Sequence, residues 1–317
     1  MTRFVLRRVL HAVALVVAVS ILSFLLLQLA PGEFFSDMTL NPQVSPETVA
    51  ALRTQYGVDQ PLTTRYVRWV RSVVHGDFGP SLAYGMPAGS LLMTRAKNTL
   101  LLTITASVLS WLIAVPLGVW TAYRARGIAD KVTSGATSVM LAVPELMVAL
   151  LLLLFAVKTG KLPTGGMREV SGAGMFDVLR HMLLPVLAIV IGTLPMIVRH
   201  VRAAMCEVLH APYVEAARRN GLPSRVVLYR YALRAGANPL ISLFGFSVGT
   251  LLSASLLVEV VMSWPGLGPM LLEAIVARDL YVVIGAVVFS TVLLVGGNLT
   301  ADVLLLALDP RVREERA

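Results

Sequence analysis

Six stretches of this chain are apolar for long enough to cross a lipid bilayer, and charged residues collect between them. They run roughly over residues 9–30, 98–122, 133–157, 182–198, 238–262 and 281–307, against the ~20 apolar residues that a helix needs to span the hydrocarbon core. Each stretch is predicted to be helical, because a single apolar segment in lipid can satisfy its backbone polar groups only internally. The fourth is the shortest and carries Pro185 and Pro195, which predict a kink. The pattern therefore predicts an all-α, polytopic membrane protein with about six transmembrane helices.

Two connections are too long to be simple loops. In 31–97, Ser45 is placed to cap a helix with Pro46 at its first position; Val49, Leu52 and Tyr56 share a face, and Gly57 ends it. A second amphipathic face runs through Leu62, Tyr66, Val70 and Val73 and stops at Gly76. Short helices of this kind must pack on the bundle or lie on the membrane. In 199–237, residues 211–221 predict a short helix with Pro212 in its first turn, Glu215 near its N-terminus, Arg218 and Arg219 near its C-terminus, and Gly221 as its stop. Pro223 opens a second helix, predicted to close near Gly236 with Pro239 beyond. Two helices on a glycine joint would form a rigid knob suited to docking; a solvated loop resting on headgroups is the plainer reading.

Composition sharpens the membrane reading. Hydrophobic residues make up 56% of the 317 positions and charged residues only 14%, with a mean hydropathy of +0.77, too few charges for a soluble surface of this size. The net charge of +9 comes from basic residues at the ends of apolar runs. That placement suits an anionic membrane surface and not nucleic acid. Sixteen Lys and Arg fall on one side of the six spans and five in the short loops of the other, which predicts both termini in the cytoplasm. Arg3, Arg7 and Arg8 precede an apolar stretch longer than a signal-peptide core, with no clear small-x-small site at Ala30-Pro31-Gly32, so the first helix is expected to be retained. The lone Cys206 excludes an internal disulfide and a multi-cysteine metal site, and reads as a packing residue.

Candidate chemistry is sparse. Glu145, Glu259 and Asp302 lie at membrane depth, where an ionised group costs roughly 2.5–3.5 kcal/mol and rarely faces lipid. Glu145 follows Pro144: it either lines a transport path or bonds a backbone group or neighbouring subunit. Glu259 and Asp302 sit near enough to span ends to reach water or headgroups. Gly245-Phe246-Ser247-Val248-Gly249 is a literal G-x-S-x-G, but it lies inside an apolar span and no histidine follows His210. A hydrolase elbow needs a strand, a helix and a later histidine, so the spacing of Gly245, Gly249 and Ser253 reads as close helix packing. Trp264, Pro265 and Gly266 form a turn at the end of the fifth span, where Trp suits the membrane interface. No G-x-x-x-x-G-K-[ST] surrounds Lys97, Lys131, Lys158 or Lys161, so the chain has no such ATP site.

Glu215-Ala216-Ala217, three residues, then Gly221 resembles the E-A-A-x-x-x-G motif of type I ABC importer permeases. Tyr229-Arg230-Tyr231-Ala232-Leu233-Arg234 before Pro239, then Ser263 to Gly268 and Ala277-Arg278-Asp279, resemble the oligopeptide, dipeptide and nickel branch. So do Leu52-Arg53, Tyr56 to Leu62, Gly76-Asp77-Phe78-Gly79 and Leu308-Asp309-Pro310-Arg311, and the match runs in order along nearly the whole chain. Where many type I permeases place Leu-Pro, this chain has Leu233-Arg234, a form common in the peptide-type branch.

The resemblance implies the type I ABC importer permease fold. Residues 1–94 would be an N-terminal transmembrane helix plus an external segment, 95–308 a permease domain with its coupling loop at 205–236, and 309–317 a cytoplasmic tail. It implies docking of ATPase subunits at Glu215, Ala216, Ala217 and Gly221, a pore or substrate contact at Glu145, and an external mouth rimmed by Trp264, Pro265 and Gly266. Its implied partners are a second homologous permease, two ATPase subunits that carry the ATP, an external substrate-binding protein and membrane lipids; the chain itself needs no cofactor. Short peptides are the expected cargo, with nickel or another small solute as the alternative within the branch. Rival classes are an ion-coupled carrier using Glu145 or Asp302, and an intramembrane hydrolase using Ser247.

Overall fold

The computed structural model of the protein describes residues 2–29, 45–55, 57, 59–168 and 174–308. The expected tail 309–317, the motif residues Tyr56, Val58, Asp309, Pro310 and Arg311, and the segment Ala30-Pro31-Gly32 lie outside the described residues. In chain order the elements are α1 (Thr2–Leu29), α2 (Pro46–Gln55), α3 (Leu62–Val74), α4 (Ala88–Tyr123), α5 (Ile128–Ala142), α6 (Glu145–Thr159), α7 (Met175–Leu209), α8 (Pro212–Arg219), the single turn α9 (Ser224–Val226), a π-helical stretch Val227–Ala232, α10 (Leu233–Val261), α11 (Leu267–Val276) and α12 (Leu280–Leu308).

Within α1, α4, α7 and α12 lie four helices long and apolar enough to cross a membrane, and α5 with α6 makes a fifth if read as one broken span. The expected span 238–262 falls in α10, which is 29 residues long. Exposed Leu6, Leu10, Val13, Leu22 and Leu26 on α1, and Leu146, Leu150, Leu154 and Phe155 on α6, form apolar surfaces that fit lipid and not water.

Packing divides the chain into two compact units, one built on Thr99–Trp264 and the other on Leu6–Asn98 with Pro265–Leu293. These units are compact packing units, whereas the division at 94/95 that the resemblance implies is one of sequence regions. In the first unit, Ala149 and Ala156 of α6, Met182 and Ile189 of α7, Val258 of α10 and Leu102 of α4 pack into one buried cluster with Trp264. In the second, Phe24 of α1, Trp69 of α3 and Ile284 and Val288 of α12 are buried together, with Leu62, Tyr66, Val70 and Val73 against them. The amphipathic face expected on α3 is thus the face that packs. Ser45 caps α2 as expected, its Oγ accepting from Thr48 N at 3.2 Å.

Four expectations about the spans change. The predicted span 133–157 is broken: α5 and α6 meet at a 91° bend, because Pro144 has no N–H to continue the ladder and Val143 before it is extended (φ −96°, ψ 118°). The fourth span is among the longest, not the shortest; α7 runs 35 residues through both Pro185 and Pro195, since Arg180, His181, Arg199 and His200 end the apolar run without ending the helix. The second helix of the 199–237 loop does not close at Gly236 but continues through the π stretch into α10, with Pro239 inside it. Gly236 serves close packing instead: a Cβ there would sit 3.0 Å from Met205 Sδ. Finally, α11 occupies what the pattern left as a plain loop between the last two spans.

Candidate functional site

α8 is a short helix whose ends are fixed by backbone geometry. Pro212 sits in its first turn, and its last carbonyls are closed by a Schellman motif: Gly221 N donates to Arg218 O at 3.0 Å and Leu222 N to Ala217 O at 3.3 Å. The motif needs a left-handed residue at its turn, and Gly221 supplies φ +75°. A Cβ at Gly221 would touch nothing within 4 Å, so the backbone conformation, not crowding, explains the glycine.

One face of α8 is buried and the other is free. Val214 and Ala217 are buried against Val227, with Val208 and Ala211 alongside, which accounts for a small residue at position 217. Glu215, Ala216, Arg218, Arg219 and Gly221 are exposed, and Tyr213 is half-exposed. Arg219 Nη2 lies 3.5 Å from Glu215 Oε2, a surface pair worth at most a few tenths of a kcal/mol. Of the four docking candidates, Glu215, Ala216 and Gly221 share an open surface while Ala217 anchors the helix beneath it.

α8 hangs from α7, and α7 is tied to α5 and α6 at three levels. Gly192 faces Glu145, whose Cγ and Cδ would stand 3.2 Å from a Cβ placed there. Two turns further, Arg199 donates to Ser138 Oγ at 2.6 Å and Thr137 Oγ1 at 3.4 Å. One turn beyond that, Arg202 reaches Asp130 through Nε to Oδ1 at 2.5 Å and Nη2 to Oδ2 at 2.8 Å. Asp130 also accepts from Arg126 N at 2.8 Å, which holds Arg126 in a left-handed conformation at φ +65°. In the sequence Arg202 is one of the sixteen basic residues that set topology, and nothing local marks Asp130 as its partner. A charged residue in a helix's first turn after Gly127 has ordinary local explanations, and the partner is 72 positions away.

Glu145 begins α6, immediately after the bend. Its Oε1 is buried and has no hydrogen-bond partner among the described residues. Of the two readings offered by the sequence, bonding to a backbone group freed by Pro144 is therefore not realised at this oxygen. Glu259, expected near water, is wholly buried; Asp302 is part-exposed. Ser247 lies inside α10 with its Oγ donating to Phe244 O at 2.8 Å and accepting from Trp111 Nε1 at 3.1 Å, a satisfied packing serine with no strand before it.

The residues expected at an outer mouth are divided between the two units, Trp264 in the first and Pro265 and Gly266 in the second. The turn is present: Ser263 adopts φ +50°, and Trp264 N donates to Glu259 O at 2.9 Å. The Trp264 ring is wholly buried and packed in the core of the first unit. Pro265 O accepts from Asn98 Nδ2 at 2.8 Å, and Gly266 precedes α11 in an extended conformation.

The second unit carries a buried carboxylate whose role the motif Ala277-Arg278-Asp279 did not disclose. Asp279 accepts from Ser81 Oγ at 2.6 Å and Ala83 N at 2.9 Å, so it both opens α12 and pins the turn 80–86. Beside it Tyr84 donates its phenolic proton to Glu273. Burial, then this bond and the charge of Glu273, push the phenol up to about 12. The phenol stays a donor at any physiological pH.

The comparisons agree along the full length. Residues 114–314 match the family described as binding-protein-dependent transport system inner membrane component, and residues 1–89 match the N-terminal part of the corresponding membrane component. The oligopeptide transport system permease protein AppB of Bacillus subtilis is 32% identical over 315 residues, covering 98% of this chain and 99% of that protein. The dipeptide transport system permease protein DppB of Escherichia coli K12 is 30% identical over 341 residues, covering 100% of each. Among solved structures, an inward-facing conformation of the MetNI methionine ABC transporter superposes with a TM-score of 0.54 at 17% identity, over 69% of this chain and 96% of that one; this likeness is one of fold. A protein of this kind is a transport subunit served by separate ATPase and substrate-binding proteins and is not itself an ATPase. The chain belongs to the inner membrane components of binding-protein-dependent transport systems, the permease subunits of type I ABC importers.

Proposed function

We propose that the chain moves short peptides across the cell membrane as one of two homologous permeases, with both termini in the cytoplasm and the α8 surface gripped by an ATPase subunit. The observation that carries this reading is the open Glu215–Ala216–Gly221 surface on a helix opened by Pro212, closed by the Schellman motif at Gly221 and suspended from α7. At 1.5 Å per residue, the 35 residues of α7 measure about 52 Å, well beyond the ~30 Å hydrocarbon core. The lever is stiffened by its ties to α5 and α6. Closure of a pair of ATPases on α8 would tilt α7, and with it the bend at Val143-Pro144 where Glu145 sits. Glu145 is the candidate path-lining group, and Trp264, Pro265 and Gly266 belong to the segment proposed to meet the binding protein. The peptide cargo is supported by the relatives named for oligopeptide and dipeptide transport. Within this reading, 1–94 is the N-terminal region, 95–308 the permease domain and 309–317 the tail.

The test uses the lone cysteine. In a Cys206→Ser background, Ala216→Cys should cross-link in intact membranes to a nucleotide-hydrolysing subunit, and uptake of a labelled dipeptide should stop when ATP is exhausted. No capture, together with uptake that follows the proton gradient instead of ATP, overturns the reading in favour of an ion-coupled carrier. Uptake of nickel without peptide would move the cargo to the other arm of the branch.

A further inference from the structure

The second unit contains a cavity that the transport reading does not use. It measures about 260 Å³ and is lined by Arg65, Arg68, Trp69 and Ser72 of α3, by Asp77 and Gly79 after it, and by Tyr281 of α12, among others. Its charges are not matched to one another. Arg65 Nε is buried with no hydrogen-bond partner among the described residues, and none of the ion pairs among the described residues joins Arg65 or Arg68 to Asp77. Asp77 spends Oδ1 on Gly79 N at 2.9 Å.

The frame around these groups is rigid. Gly76 adopts φ +84° and Gly79 φ +92°, and Gly79 lies so close to the Tyr281 ring that a Cβ would stand 3.1 Å from it. Trp69 Nε1 donates to Phe78 O at 3.3 Å, and Trp69 itself is packed in the buried cluster around Phe24. Arg68 reaches back to Gly57, where a Cβ would come within 3.1 Å of its Nη1. Arg65 is therefore presented part-buried from fixed backbone, while Arg68 and Asp77 are exposed beside it.

An unpartnered guanidinium nitrogen out of water costs free energy that an oxyanion would recover, and guanidinium forks match carboxylates in shape. The cavity is smaller than the ~300–1,000 Å³ of pockets for drug-sized ligands, so the occupant is small. Two guanidiniums and one carboxylate around one small space complement a molecule that carries both a carboxylate and an ammonium group. We propose that this cavity binds a small zwitterion, a free amino acid or dipeptide, with its carboxylate on Arg65 and Arg68 and its ammonium toward Asp77. The site is separate from Glu145 and from α8 in sequence and does not depend on which side of the membrane α3 faces.

Equilibrium binding to the purified full chain in lipid nanodiscs tests it, with labelled Ala-Ala as probe. Arg65→Gln and Arg68→Gln should each weaken binding at least about tenfold, as loss of a charged hydrogen bond does, while Arg71→Gln, on the same helix but outside the cavity, should leave it unchanged. Ala-Ala amide should compete at least tenfold less well than Ala-Ala. N-acetyl-Ala-Ala, which has no ammonium, should bind wild type more weakly than Ala-Ala, and Asp77→Asn should equalise the two. Equal binding to wild type, Arg65→Gln and Arg68→Gln overturns the proposal. So does inorganic phosphate competing better than Ala-Ala, which would make the cavity a phosphate site. Glu145→Gln serves as a control that leaves this site intact, so a transport defect and a cavity defect are read separately.

Discussion

Arg202 holds Asp130 with two nitrogens on two oxygens, at 2.5 and 2.8 Å, between α7, from which the docking helix hangs, and α5, which leads to the bend. The Asp130 side chain is 7% exposed and that of Arg202 33%, so the pair is partly screened and its worth lies well below that of a fully buried one. Asp130→Asn should destabilise the full chain by about 1–3 kcal/mol, because it strands the guanidinium while keeping an acceptor for Arg126. Thermal unfolding of Asp130→Asn, Arg202→Gln and the double variant should give an interaction energy of roughly 0.5–3 kcal/mol. Additive effects would mean that the two side chains merely lie near each other.

That pair marks the limit of what the sequence discloses. Hydropathy located the spans because each lipid-crossing helix needs its own apolar length, and local chemistry located α8 because Pro212 and Gly221 act on their own neighbours. The π stretch at Val227–Ala232, the run of α10 through Pro239 and the burial of Trp264 depend on which helix packs alongside. No spacing along the chain reports that. Glu145 was found as an acidic residue in an apolar run, but its glycine partner, Gly192, is 47 positions away and chemically silent until the close approach is seen.

The docking surface predicts a graded series at Gly221. Asn tolerates the left-handed region, Ala pays roughly 1–2 kcal/mol to enter it, and Trp adds bulk to the open surface as well. Gly221→Asn should therefore retain ATPase capture and uptake, Gly221→Ala should weaken both, and Gly221→Trp should abolish both while the protein still inserts. Glu215→Lys should also uncouple transport, through charge and not through backbone strain. Normal uptake in both Gly221→Trp and Glu215→Lys would remove α8 from the coupling mechanism.

The contact between Glu145 and Gly192 predicts sensitivity to a single methyl group. A Cβ at position 192 would stand 3.2 Å from Glu145 Cγ and Cδ, so Gly192→Ala forces the carboxylate to shift by a few tenths of an ångström and Gly192→Val displaces it outright. Uptake should fall from wild type to Ala to Val with insertion and ATPase capture unchanged. Glu145→Gln should separate charge from shape: if it transports normally while Gly192→Val does not, packing at the bend matters and the carboxylate does not line the path.

Asp279 makes the sharpest stability prediction, because it is wholly buried and its two oxygens serve two elements. Oδ2 accepts from Ser81 Oγ and Ala83 N, while Oδ1 faces Val282 N at 3.4 Å in the first turn of α12. Ser81→Ala removes the donor to Oδ2 and the acceptor of Tyr84 N at 3.0 Å, and leaves the bonds from Ala83 N and Val282 N, so it should cost about 1–2 kcal/mol. Asp279→Ala strands the Ser81 hydroxyl and the Ala83 N–H together and removes a helix cap, so it should cost about 3 kcal/mol or more. The turn 80–86 would then be freed at one anchor, and limited proteolysis of the full chain in nanodiscs should cut there faster in Asp279→Ala than in Ser81→Ala. Asp279→Asn separates the contributions: its amide oxygen can still accept from Ser81 Oγ and Ala83 N, while its NH2 then faces Val282 N, so it should hold the turn 80–86 and weaken only the start of α12. Should all three resist proteolysis as wild type does, the turn is held by the Pro80–Pro87 pairing and the Tyr84–Glu273 bond alone, and Asp279 acts only on α12.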